Sequence, residues 1–240
     1  MFGIARLNTL AKFAAASRTA KTITNGGGAA VSTTQSKFGG ASLVVSLSAS
    51  TSTHFVSIDS SSTSADLNIG TGAFTYEAWF YPVANGGSSS TQASIIEGRS
   101  AANDGSSLGI YHNATNNLVV GALGTSTAMT SSQTVALNTW HHVALTRSGT
   151  TWTLWVNGAS GATATSSTSI SNPNIIRVGR GYVTTATFRG YIDEVRISNT
   201  ARYTGAFTPS ASAFTNDANT VFLMHANGTN GATTFTDDNA

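Results

Sequence analysis

Beyond residue 40 the hydrophobic positions come in short runs. Val, Ile, Leu, Phe, Trp and Tyr alternate with polar residues, and clusters of Ser, Thr, Gly and Asn separate the runs. Such alternation predicts strands and turns. The spacing places strands at Ala41–Leu47, His54–Ile58, Ala73–Pro82, Ser94–Glu97, Leu108–Tyr111, Asn117–Ala122, Thr139–Arg147, Thr151–Val156, Asn174–Arg180, Phe188–Ser198 and Thr220–His225. Gly149, in TRSGTTW, supplies the open backbone angles of a hairpin turn. No helical pattern interrupts the series, so the expected fold is all-β, a two-sheet antiparallel sandwich. No run duplicates another, which makes residues 31–240 one domain.

The start of the chain has a different period. Phe2, Leu7, Leu10, Phe13 and Ala14 recur at helical spacing, predicting a short amphipathic helical arm over residues 1–24. A helix of about 20 residues is marginal alone in water, so its apolar stripe needs a surface to cover it. Leu7, Leu10 and Phe13 with the charges Arg6, Lys12, Arg18 and Lys21 are therefore the candidate partner-docking residues. Residues 25–30, NGGGAA, read as a flexible linker.

Charge sharpens this division. Only 9% of the 240 residues are charged, against about 25% in a typical soluble domain. Such a neutral, Ser- and Thr-rich surface suits a chain that lives inside an assembly. All five charges before Asp59 are positive; from Asp59 onward seven arginines meet ten acids. The basic excess thus belongs to the leader and first strand, which argues against a nucleic-acid face on the domain. No cysteine is present, so disulfides and thiolate metal sites are excluded. No apolar run reaches the roughly 18 residues of a membrane span.

Candidate chemistry concentrates in FTYEAWFYP (Phe74–Pro82) and in the segment 138–159, which together hold all four tryptophans. Alternation puts Phe74, Tyr76, Ala78 and Phe80 on one face and Thr75, Glu77, Trp79 and Tyr81 on the other. The aromatics read as packing between sheets, with a sugar-stacking platform as the alternative. His141 and His142, adjacent on a strand, face apart and do not converge on one ion. Asp193 and Glu194 are expected to face apart for the same reason, with Asp193 beside Val195 and Ile197 and held by backbone amides. The spacing G-x-S-x-G occurs at Gly105–Gly109, but it runs into the predicted strand Leu108–Tyr111 with no helix after it and so lacks the strand–turn–helix setting of a nucleophile elbow, and no carboxylate pair of the kind glycoside hydrolysis needs is evident. Asn103 and Asp104, in the loop AANDGSS, could offer oxygens to calcium or to a sugar.

Five motifs in order then resemble a known family: SKFGGASL (Ser36–Leu43), GTGAFTYEAWFYP (Gly70–Pro82), WHHVALTRSGTTWTLWVNG (Trp140–Gly158), IIRVGRG (Ile175–Gly181) and FRGYIDEVRISNTARYTGAFTP (Phe188–Pro209). They resemble the laminin G-like, concanavalin A-like lectin/glucanase jelly roll, from about Val31 to the C-terminus. The closing stretch Phe214–Ala240 is similar to module ends of tailed-bacteriophage virion proteins, especially those of marine and cyanobacterial phages. The carboxylate pattern of the family's glucanase branch, E-x-D-x-x-E, has no match here. The resemblance implies a non-enzymatic virion protein on the particle exterior, a capsid decoration anchored by its arm. The alternative is a tail or fibre protein whose jelly roll binds host-surface carbohydrate. Expected partners are other virion subunits and a host-surface glycan, with no nucleic acid and no membrane span. No cofactor is implied beyond weakly bound calcium at Asn103 and Asp104.

Overall fold

The computed structural model describes residues 19–48, 53–59, 65–85, 92–100, 107–113, 115–123, 127–170 and 175–239. Among these, fifteen strands form two antiparallel sheets. In chain order they are β1 (Ile23–Asn25), β2 (Ala30–Ser32), β3 (Ser42–Ser46), β4 (Val56–Asp59), β5 (Phe74–Pro82), β6 (Gln92–Gly98), β7 (Leu108–Asn113) and β8 (Leu118–Leu123). Then follow β9 (Thr127–Thr134), β10 (His141–Ser148), β11 (Thr151–Val156), β12 (Ala159–Thr165), β13 (Ile175–Val178), β14 (Gly190–Ser198) and β15 (Thr220–Met224). The front sheet runs β1-β4-β13-β6-β7-β8-β9. The back sheet runs β12-β11-β10-β5-β14-β3-β2, with β15 also paired to β14. Strand β14 meets β3 at Gly190–Ile192 and β15 at Val195–Ser198, so those two share one of its edges end to end.

The core fills the space between the sheets. Phe74, Tyr76, Ala78 and Phe80 of β5 meet Val143, Leu145, Trp152, Leu154 and Ile197 from the same sheet and Ile58, Ile96, Ile110, Ile176 and Val178 from the other. Trp152 is fully buried there, edge-on to Phe74 at 4.9 Å between ring centroids. The alternation expected for β5 holds, but its second face is not solvated: Thr75, Glu77 and Trp79 are buried as well. Residues from the connection between β14 and β15 cover that face. Phe207 and Phe214 stand against Trp155, Trp79 and His142.

Two expectations are corrected. The arm and linker do not extend to residue 30. Strand β1 pairs Ile23 with Ile58, and β2 pairs Val31 with Leu43. Lys21 is buried, with its Nζ 2.9 Å from Asp66 and its N–H donating to Asp237 Oδ2 at 2.8 Å. It belongs to the sandwich and not to a free docking arm. Arg6, Leu7, Leu10, Lys12, Phe13 and Arg18 lie outside the described residues.

The second correction concerns β14. Its register with β5 jumps from Asp193↔Trp79 to Arg196↔Glu77, and Glu194 adopts a φ of 54°. This bulge adds one residue and resets the alternation. Asp193 therefore shares the outer face with Trp79, while Val195 and Ile197 point into the core. The two adjacent carboxylates do not face apart: Glu194 bonds Phe214 N–H, and Phe214 packs against Trp79 on that same outer side.

Candidate functional site

The back sheet's outer face is built for cohesion. Glu77 Oε1 accepts from Arg196 Nε at 2.8 Å, and its Oε2 accepts from Tyr203 Oη at 2.8 Å and His142 Nε2 at 3.1 Å. Burial alone would raise the Glu77 pKa; the bond from His142 and the Arg196 charge outweigh it and hold it below its ordinary value. Tyr203 stacks on Phe207 at 3.6 Å, so this carboxylate staples the covering segment to the sheet. Asp193 accepts from the N–H groups of Lys37, Phe38 and Glu194; Glu194 accepts from Phe214 N–H and His225 Nδ1. Both are fully buried. Burial pushes Asp193 up to about 7. Carboxylates saturated by backbone donors and sealed from solvent serve structure and do not face a substrate.

The histidines follow the same logic. His141 donates from Nε2 to the Ala136 carbonyl and accepts on Nδ1 from Asn157. His142 turns to the opposite face and Glu77. Among the described residues no group of three or more His, Cys, Asp or Glu stands together to hold a metal ion. None of their helices is long and apolar enough to cross a membrane. Trp79, Trp152 and Trp155 are buried, so Trp140 is the one tryptophan left half-buried, in a tilted pair with Tyr81 at 5.5 Å.

The front sheet's outer face is different. Ser57, Asp59, Tyr111, Ala122, Ala128, Ile175 and Arg177 on it are half-buried or exposed. The turn after β13 brings Tyr182 onto this face, 38% exposed, beside exposed Val183. Arg99 lies over the Tyr182 ring at 5.4 Å and Arg177 at 5.8 Å. Beneath them sits Glu97, whose Oε2 accepts the Tyr182 N–H at 3.0 Å. Its Oε1 is buried without a hydrogen bond, 3.7 Å from Arg99 Nη1. Burial raises the Glu97 pKa, and the Tyr182 N–H and Arg99 only partly offset this. Glycine makes the approach feasible: a Cβ at Gly181 would collide with Glu97 Oε2, and one at Gly109 with the Tyr111 hydroxyl. Arg177 Nη1 donates to the Arg99 carbonyl at 3.0 Å, tying β13 to the end of β6. Asn103 and Asp104, in the connection that follows Arg99, lie outside the described residues.

A shallow, open sheet face with one exposed aromatic ring, two guanidiniums and a desolvated carboxylate can bind and orient a polar ring. Among the described residues it offers no acid–base pair. A laminin G-type family model, described as the concanavalin A-like lectin/glucanases superfamily, matches residues 50–205, more than half of the sequence. The chain belongs to that superfamily. No curated protein matches it in sequence. Among solved structures it is similar to the binding domain of Paraclostridial Mosquitocidal Protein 1, with a TM-score of 0.58 and 14% identity over 76% of this chain and 45% of that one. It is also similar to domain 4 of an extracellular arabinanase from Geobacillus stearothermophilus, solved with arabinotriose, at TM-score 0.55 and 18% identity over 80% and 85% of the two chains. The botulinum neurotoxin serotype G binding domain gives 0.55 and 12% over 76% and 44%. At these identities the likeness is one of fold. The chain spans less than half the length of either toxin domain.

None of Glu97, Arg99, Arg177 and Tyr182 stood out in the sequence. The available signal was weak: three of the seven domain arginines, Arg99, Arg177 and Arg180, lie in or just after two strands that pair directly.

Proposed function

We propose that this chain is a non-enzymatic carbohydrate-binding module whose glycan surface is the outer face of the front sheet. The observation that carries this reading is Tyr182. Its ring is exposed beside Val183 on a face that also bears exposed Ile175, and it is fixed from beneath by a buried carboxylate. An aromatic face can stack on the C–H groups of a sugar, while Arg99 and Arg177 can donate to its hydroxyls. The arabinotriose held by arabinanase domain 4, a similar fold, supports this reading. The test is a glycan array with the wild type and Tyr182→Ala. Loss of binding in the variant at an unchanged melting temperature supports the proposal; equal binding by both refutes it.

The setting rests on the sequence. The resemblance of Phe214–Ala240 to phage module ends favours the exterior of a tailed-phage particle, as a capsid decoration or as a tail or fibre component. In that setting the glycan belongs to the host surface. Residues 1–18, with Arg6, Leu7, Leu10, Lys12, Phe13 and Arg18, would then hold the module to another virion subunit. Deleting residues 1–18 should abolish incorporation into particles; normal incorporation ends that idea.

A further inference from the structure

Two histidines meet inside the sandwich, one from each sheet. On β7 the alternation that sends Leu108 and Ile110 into the core sends His112 there too, and its ring is fully buried. On β10 His141 stands opposite Phe80 and shares the core face with Val143 and Leu145. Phe80 packs against both rings, 6.2 Å from His112 and 5.7 Å from His141 between centroids, and Phe188 stands edge-on to His112 at 6.5 Å. His141 has two polar partners, the Ala136 carbonyl and the Asn157 amide. Neither ring nitrogen of His112 makes a hydrogen bond. Asn117 favours its charged form, but burial and then the His141 charge outweigh that and hold His112 down to about 4. Among the described residues no carboxylate faces either ring. β5 turns Glu77 to the outer side, where it meets His142, and β6 turns Glu97 outward to the Tyr182 N–H. The residues paired with His112 are Ala93 on β6 and Val119 on β8. β11 carries no titratable side chain, and Arg147 of β10 lies at that strand's other end. Arg189 follows Phe188 and by alternation faces away from the core.

We infer that His112 and His141 form an acid-sensitive seam between the sheets: in acid the rings take up protons by parting there, so β7 loosens from the start of β10 while the rest of the sandwich stays closed. The inference is independent of the carbohydrate reading. A cation in this place has neither water nor a counter-charge, so the closed seam binds fewer protons than the open one. Its stability is complete above the ordinary histidine value of 6.5 and is lost as pH falls toward 4. At about pH 5 the open His112 ring is nearly all protonated and the closed ring about one-tenth so, which raises the opening constant about 30-fold. His141, also lowered by burial, acts in the same direction. Glu97, Asp193 and Asp237 are raised by burial and gain stability over the same window. The seam must therefore be read locally, since a melting temperature sums all of these.

The experiment is amide hydrogen exchange on the full chain at about pH 7.5 and about pH 5, expressed as protection factors so that the intrinsic pH dependence is removed. Wild type is compared with His112→Leu and His112→Gln, neither of which can charge. In wild type, β7 and the first residues of β10 should lose about 30-fold in protection at the lower pH relative to β14, and both variants should keep it. A purely structural role for His112 would instead change protection by the same factor at both pH values. Unchanged protection of β7 in wild type overturns the inference, and so does an equal loss in wild type and variants. A loss spread evenly over all strands overturns the local opening. The wild-type protein supplies a second measurement if neither variant folds: an NMR titration of its histidine rings. A His112 ring that titrates well below 6.5 and broadens the β7 signals as it does so supports the seam; one that titrates at its ordinary value overturns it.

Discussion

Glu77 shows how a buried charge becomes structural. Its two oxygens receive three side-chain donors, and Arg196, only 7% exposed, depends on it. Removing one partner of a buried pair leaves the other uncompensated, so Glu77→Ala should destabilise by about 3–5 kcal/mol and Glu77→Gln by less. Denaturant unfolding of both variants checks the order; equal and negligible losses would deny the staple. Trp152, with no exposed surface, should cost about 3–5 kcal/mol as Trp152→Ala. Two groups set the response to pH above about 6.5. His225 is raised from 6.5 by its bond to Glu194, and Asp193 is raised by burial to about 7. Both hold protons more tightly when folded, so their contribution is complete below their unfolded values and is lost as pH rises through the folded ones. His112 and His141, lowered by burial, act the other way, but only below 6.5. Stability should therefore fall as pH rises above about 6.5, the Asp193 share ending at about 7, and His225→Gln should flatten that fall. A melting temperature that rises across this window contradicts the assignment.

At the scale of elements, every predicted strand after residue 40 has an observed counterpart, because each carries large apolar residues facing a core. The strands not predicted were β1, β2, β9 and β12, which are the ends of the two sheets. Their sequences, ITN, AVS, TAMTSSQT and ASGATAT, pack little between sheets, so pairing and not propensity makes them strands. For β12 a signal was present: Asn157 and Gly158, with φ of 51° and 82°, form the two-residue turn from β11. The uncharged edges β9 and β12 shield one another, since Gln133 bonds the Ser160 carbonyl and Gly161 lies against Ser131. The bulge at Glu194 was illegible, because strict alternation gives no hint of an added residue. The cluster under Tyr182 was hidden for a related reason, as β6 and β13 are far apart in sequence and meet only through the sheet order. Gly158→Ala tests one element directly. Its Cβ would collide with the Phe207 carbonyl, and positive φ alone costs about 1–3 kcal/mol. Loss of the Phe207–Trp155 contact, seen as a tryptophan fluorescence change, is the expected sign.

The described domain is closed where Lys21 and Val31 meet the segment from Gly231 to Asp237. Asp237 accepts from the N–H groups of Lys21, Leu223 and Asn239, and Val31 exchanges backbone bonds with Gly231 and Ala232. A deletion of residues 1–18 should leave the melting temperature unchanged. A deletion through Thr24 removes Lys21 and part of β1, and should lower it by roughly 2–4 °C for each kcal/mol lost. Equal melting temperatures for the two would mean that Lys21 and β1 contribute nothing. Among the described residues, the segment after β14 covers much of the back sheet's outer face, while the front sheet's outer face carries half-buried and exposed side chains. Of the half-exposed aromatics among the described residues, two places are set against each other as sugar platforms: Tyr182 on the front and the Trp140–Tyr81 pair on the back. The decisive measurement is calorimetric titration of one array-selected glycan into wild type, Tyr182→Ala and Trp140→Ala. The account predicts that Tyr182→Ala abolishes the heat of binding while Trp140→Ala retains it. Retained binding in Tyr182→Ala, with loss in Trp140→Ala, would contradict it.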